Sequence, residues 1–182
     1  MLISAKADLN IANKDGHTAL TLALNDFRYR YAKKLLEAKV NVNAADQNGD
    51  TVLMLAAEEG NSKFAHMLID IKADVNAAGL HGCTALSRAA RKGHTATVQM
   101  LLEAKADVSL VNDDGSTALM LASRTKQTNC VNVLISAFLG SLRQNQTIMD
   151  DAAASQNHKG SELTNAKRRG SERESPSKRA KR

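Results

Sequence analysis

Aromatic residues make up only 3% of this chain, and there is no Trp. A core must therefore be built from Leu, Val, Ile, Met and Ala. Small and unbranched side chains of this kind suit closely packed short helices better than a β-sandwich. Proline occurs once, at Pro176, and cysteine twice, at Cys83 and Cys130. Two cysteines without a CxxC pair or a His at ligand spacing argue against a disulfide framework or a zinc site, and suit free thiols in a reducing compartment. No apolar run approaches the roughly 18 residues of a membrane span. The first residues lack the basic start and long apolar stretch of a secretory signal. An intracellular protein, cytoplasmic or nuclear, is expected.

Excess charge is missing from most of the chain. The net charge is +6, and residues 159–182 alone carry nine Lys/Arg against three Glu, leaving sixteen basic and sixteen acidic residues in 1–158. The basic character belongs to a tail, so the overall charge does not identify a nucleic-acid-binding fold.

What is present is a period. Gly16, Gly49, Gly82 and Gly115 are spaced by 33 residues, and so are Thr18, Thr51, Thr84 and Thr117. The same interval separates Leu20, Leu53, Leu86 and Leu119, then Ala23, Ala56, Ala89 and Ala122. It recurs in Leu35, Leu68, Leu101 and Leu134, and in Lys6, Lys39, Lys72 and Lys105. Chance does not align so many columns, and fixed-period self-similarity is the mark of a stacked array. The third copy reads Gly82-Cys83-Thr84-Ala85-Leu86-Ser87-Arg88-Ala89-Ala90-Arg91-Lys92-Gly93-His94, then Leu101-Leu102-Glu103-Ala104-Lys105-Ala106-Asp107-Val108. This resembles the ankyrin repeat, G-x-T-P-L-H-x-A-A-x-x-G-H followed by L-L-x-x-G-A-D-V-N, over roughly residues 2–137.

The resemblance implies an all-α solenoid with two antiparallel helices and a β-turn finger per copy. The divisions expected are a partial repeat over 1–13 and repeats over 14–46, 47–79, 80–112 and 113–140. A capping helix is expected over 141–154 and a disordered basic tail over 155–182, where apolar residues are too few to offset the entropy of ordering. The Thr column fits helix N-caps. Gly60 and Gly93 fall where the first helix turns back and a left-handed residue is favoured. Second helices are expected over Tyr31–Glu37, Phe64–Asp70, Thr97–Glu103 and Cys130–Ala137. The chain departs from the family at the consensus Pro and His, which become Ala, Val, Thr, Met or Ser, and at the Gly closing each second helix, which becomes Lys. Lys72 is thus expected in a left-handed conformation.

No P-loop, GxGxxG or HExxH pattern occurs, and His17, His66, His81, His94 and His158 form no triad or metal spacing. Paired carboxylates such as Asp113-Asp114 and Glu58-Glu59 read as solvated turn and helix residues. The expectation is a protein that is not an enzyme, with no catalytic residue, cofactor or metal.

In the family, partners lie along the fingers and the exposed side of the first helices. Carried over by position, that surface holds His17, Asp26, Asp50, Glu58, Glu59, Leu80, His81, Arg91, Lys92 and Arg124. The sign changes along the stack, from Asp26 and Glu58-Glu59 to Arg91-Lys92 and Arg124. Pairing of Glu58 with Arg91 and Glu59 with Lys92 across neighbouring copies accounts for this, or a two-signed groove that orients a polar partner. Leu80, the one large apolar residue among these positions, is the expected anchor.

Function is therefore expected to be recognition of another protein, with no membrane. Lys167, Arg168, Arg169, Lys178, Arg179, Lys181 and Arg182 resemble a nuclear import signal read by an import receptor. Nucleic acid is expected only non-specifically, through the tail. The alternative is the C-terminal targeting part of a larger multidomain protein. Thr117-Ala118-Leu119-Met120-Leu121-Ala122 also resembles arrays of intracellular bacteria, so a bacterial effector acting in a host, and in its nucleus, is a further alternative.

Overall fold

The computed structural model describes residues 8–14, 16–25, 29–38, 40–143 and 146. Residues 8–138 belong to one compact unit; the second, Leu139–Arg182, is described only over 139–143 and 146, which are helical. The expected tail and most of the expected capping helix lie outside the described residues.

Helices come in pairs: α1 (Ala19–Asn25) with α2 (Tyr29–Glu37), α3 (Val52–Glu58) with α4 (Ser62–Asp70), and α5 (Ala85–Lys92) with α6 (Thr95–Glu103). The fourth pair is α7 (Ala118–Arg124) and α8, which begins at residue 128 and continues to the end of the first unit. Within a pair only two or three residues join α3 to α4, α5 to α6 and α7 to α8, which makes antiparallel neighbours of them. The first helices pack in a row, α1 on α3, α3 on α5, α5 on α7, and α4 packs on α6. Among the described residues there are no strands, only isolated antiparallel bridges at Ala45–Thr51 and Val111–Thr117.

The columns form the core. Leu20, Leu53, Leu86, Leu68, Leu101 and Leu134 are buried, as are Ala56, Ala89 and Ala122, whose small side chains let first helices approach closely. Thr51, Thr84 and Thr117 cap α3, α5 and α7, each hydroxyl accepting from the backbone N–H three residues on. In the third pair Ser87 answers Thr84 to complete a capping box, so a hydroxyl serves where the family has His.

The second helices begin two residues before the expected Phe64 and Thr97, at Ser62 and Thr95. The Asn61 carboxamide accepts from Phe64 N–H at 3.2 Å and nucleates α4 earlier than apolar periodicity indicates. Gly60 and Gly93 are left-handed, with φ of 69° and 82°. Lys126 occupies the same column in the fourth pair at φ 59°.

Successive copies are also stitched by asparagine. Asn10 Oδ1 accepts from Asn41 N–H, Asn43 from Asp74 N–H and Asn76 from Asp107 N–H, at 2.6, 2.9 and 2.8 Å. Each rung joins residues 31 apart. The next residue in the column is Ser109, which turns its hydroxyl back to Asp107.

Lys72 and Lys105 have φ of 69° and 68°, the left-handed conformation that costs a side-chain-bearing residue about 1–2 kcal/mol. Glycine removes that cost but loses about 0.5–1 kcal/mol more on folding. Lys72→Gly is therefore expected to stabilise the protein modestly, by about 0.5–1 kcal/mol in urea denaturation. A loss of stability would mean that the Lys72 ammonium or stem contributes more than the backbone strain costs.

Candidate functional site

The centre of the row is an ion network. Arg88 on α5 occupies a column filled by Leu22, Leu55 and Leu121 in the other copies. Asp50 precedes the capping Thr51, where the other copies have His17, Cys83 and Ser116. Arg88 Nη1 donates to Glu58 Oε2 at 2.8 Å, and Nη2 donates to Asp50 Oδ1. The Arg88 and Asp50 side chains are only 12% and 8% exposed, so the pair is held away from solvent screening. Glu58, at the end of α3, also meets Arg91 at 3.1 Å and Lys92 Nζ at 3.5 Å.

This arrangement sets the protonation states. Partial burial by itself raises the Glu58 pKa, but the Arg88 hydrogen bond and the charges of Arg88, Arg91 and Lys92 outweigh it, so the carboxyl sits below its ordinary value. Burial disfavours the Arg88 cation, and Asp50 and Glu58 more than compensate, so its pKa is raised. Arg88 Nε is buried without a hydrogen-bond partner. A Cβ at Gly79 would lie 2.4 Å from Asp50 Oδ1 and 3.0 Å from Met54 Sδ, so glycine there leaves room for the carboxylate.

The expected Glu58–Arg91 pair is therefore present, while Lys92 reaches Glu58 and not Glu59, which is exposed. The reason is convergence. Arg88 draws Glu58 inward over α5, where all three cations can reach it. Sequence reading by columns passed over Arg88; the signal available was a charge standing alone in a Leu column.

His94 is structural. Its Nε2 donates to the Glu58 carbonyl at 2.9 Å, and its ring lies where a Cβ on Gly60 would be. Gln127 packs over Gly93 in the same way.

The other candidates line the loops and helix ends. Leu80 and His81 form a short 3-10 turn before α5, with His81 left-handed at φ 60°. Leu80 N–H donates to the Asn48 carbonyl at 2.7 Å and the His81 carbonyl accepts from Asp113 N–H at 3.0 Å, so three successive loops are linked through backbone. On that rigid frame the Leu80 side chain is 51% exposed, and Leu110 and Val111 on the following loop are exposed as well. The exposed His81–Asp113 pair, at 3.7 Å, contributes little. His17 is half-buried, Arg124 is exposed, and its Nη1 donates to Ser116 Oγ at 3.4 Å. Asp26 and the basic residues Lys167, Arg168, Arg169, Lys178, Arg179, Lys181 and Arg182 lie outside the described residues.

Among the described residues no three His, Cys, Asp or Glu side chains form a group that could hold a metal, and both cysteines are free thiols. No described helix is long and apolar enough to cross a membrane.

A search of the curated proteins returns no match. The family model of ankyrin repeats, in three copies, matches residues 1–79 and 76–145, most of the chain. With its helix pairs stacked in register and its Thr caps in their columns, the chain belongs to the ankyrin-repeat family.

Proposed function

We propose that this protein binds another protein along its fingers and the exposed side of its first helices, with Leu80 as the apolar anchor. Ankyrin repeats generally mediate protein–protein interaction, and the observation that carries the finer reading is the Leu80 side chain, half exposed on a backbone held by hydrogen bonds to both neighbouring loops. A large apolar group presented rigidly loses little entropy on binding, which is how anchor residues work. His81, Leu110 and Val111 extend the patch. Arg91 and Lys92 at the end of α5 are only partly neutralised by Glu58 and favour an acidic stretch of the partner beside the anchor.

The full chain used as bait should capture a partner that Leu80→Glu loses by at least about tenfold, equivalent to 1.4 kcal/mol, without any change in melting temperature. Equal capture by the variant would remove Leu80 from the surface.

For the basic segment 159–182 we propose nuclear import. Fused to an inert reporter, it should concentrate that reporter in the nucleus of a eukaryotic cell, and Ala at Lys178, Arg179, Lys181 and Arg182 should abolish this. An even distribution would reject import; if the segment instead retains polyanions with steep salt dependence, it acts as a weak nucleic-acid contact.

A further inference from the structure

Asn48–Gly49 is the only Asn-Gly pair in the chain. The backbone nitrogen that follows an asparagine can attack the side-chain carbonyl carbon, and a following glycine, with no Cβ, leaves that approach open. The pair lies at the tip of the loop before α3, where Asn48 is exposed and Gly49 is left-handed at φ 72°. Asn10, Asn41, Asn43, Asn61, Asn76 and Asn112 each hold their side chain in place by accepting from a backbone N–H through Oδ1. Among the described residues the Asn48 carboxamide has no such partner, and its bonds are made by its backbone alone.

That backbone holds the Leu80 loop, because the Asn48 carbonyl accepts from Leu80 N–H at 2.7 Å. Asp46 clamps the turn. Its Oδ1 accepts from Asn48 N–H at 2.8 Å and from Asp50 N–H at 2.9 Å, and its carbonyl accepts from Gly49 N–H at 2.9 Å. The Gly49 nitrogen is free to attack only when that last bond opens, so the clamp sets the rate. The loop before α7 is a built-in control. Asp114 stands there at the position of Asn48, and Gly115 is left-handed at φ 71°. Asn112, at the position of Asp46, accepts from Ser116 N–H through Oδ1 and from Gly115 N–H through its carbonyl, both at 2.8 Å. An aspartate at position 48 therefore suits the turn, whereas a residue that lengthens the main chain does not.

We propose that Asn48 is a site of intramolecular deamidation whose iso-aspartyl product releases the Leu80 loop. The Gly49 nitrogen bonds to Asn48 Cγ, the carboxamide nitrogen departs with the Gly49 amide proton as ammonia, and a succinimide ring results. Water then opens the ring at either carbonyl. Attack at Cγ breaks the new bond and leaves aspartate in the original chain. Attack at the α-carbonyl breaks the original peptide bond and leaves iso-aspartate, with the main chain running through Cγ and the old carbonyl turned into a free carboxylate. That carbonyl is the one to which Leu80 N–H donates. The iso-aspartyl turn is longer by one main-chain atom, and Leu80 loses the amide partner that fixes it. The chemistry is independent of what Leu80 binds; that it weakens partner binding rests on Leu80 being the anchor.

The full chain is aged in neutral buffer at physiological temperature and mapped by tryptic digestion and mass spectrometry. Conversion of the Asn48 side chain from amide to acid should run well ahead of any at Asn41, Asn43 or Asn61, which share its tryptic peptide. Part of the product should accept a methyl group from S-adenosylmethionine through an isoaspartyl methyltransferase. Asp46→Ala should speed conversion about two- to tenfold, the factor that one lost hydrogen bond allows, and Asp46→Asn, which copies Asn112, should leave it slow. Amide exchange at Leu80 should be at least about tenfold faster in the iso-aspartyl fraction than in the fresh chain, and unchanged in Asn48→Asp. Circular dichroism separates a turn effect from unfolding in each variant. Conversion elsewhere in that peptide as fast as at Asn48, a rate that Asp46→Ala leaves unchanged, a product without iso-aspartate, or an iso-aspartyl form with Leu80 still protected would each overturn the proposal. A released Leu80 with undiminished partner capture would support the chemistry and reject Leu80 as the anchor.

Discussion

Replacing Arg88 with Leu, the residue found at its position in the three other copies, is expected to destabilise the protein by about 3 kcal/mol. Most of that loss comes from Asp50. Its side chain is 8% exposed and faces the Arg88 guanidinium. Without Arg88 an unpaired anion is buried, and Glu58 loses the partner that holds it. The double variant Asp50→Ser with Arg88→Leu copies the fourth repeat, which has Ser116 and Leu121 there, and should recover most of the loss. A double-mutant cycle from urea denaturation should give a coupling of about 1–3 kcal/mol. Additive effects, or a neutral Arg88→Leu, would mean that the network contributes only what surface pairs do. The same cluster gives an acid limb. Because the Glu58 pKa is lowered on folding, its contribution is complete above the ordinary carboxylate range and is lost as pH falls below that range through the lower folded value. Glu58→Gln should be less stable near neutrality and lose less stability on acidification.

Phe64→Ala is expected to cost about 3–5 kcal/mol, the largest loss from any apolar truncation among the described residues. Phe64 is the largest of the fully buried side chains among the described residues, and its column otherwise holds Tyr31, Thr97 and Cys130. Tyr31 is 61% exposed and Thr97 and Cys130 are smaller, so this one ring fills space that no neighbouring copy can refill. Phe64→Leu keeps most of the volume and should cost under about 1.5 kcal/mol. In a stack, coupling between copies passes through such contacts. The Ala variant should therefore also broaden the denaturation transition, as the copies on either side of α4 begin to unfold separately. A sharp transition with an unchanged midpoint would show that the ring is dispensable.

The column residues were legible because every copy repeats them. Leu86 or Ala89 does the same job as its counterparts, so four aligned occurrences reveal the role. Thr caps and left-handed Gly and Lys positions were legible for the same reason, since each answers a local backbone requirement. Arg88 was not, because Leu22, Leu55 and Leu121 fill its column in the other copies and no repetition marks its role. Its partners Asp50 and Glu58 lie 38 and 30 residues away and become a network only through stacking. The start of α4 was misjudged because Asn61 caps by a side-chain bond that apolar spacing does not record. The bridging role of the Asn10, Asn43 and Asn76 column was not legible either, because a side-chain bond to a residue 31 positions on leaves no local signature.

Those asparagine rungs bear on how the chain finds its structure. A rung always closes a loop of the same size, 31 residues, whichever copies it joins. Loop-closure entropy depends on that length and not on the length of the array, so adding copies adds contacts without raising the mean sequence separation between partners. Folding can start at the best-packed pair and advance one rung at a time, each step meeting the same entropic barrier as the last. Ser109, turned back on Asp107, offers no carboxamide at the corresponding position, so the asparagine zipper stops at the fourth copy.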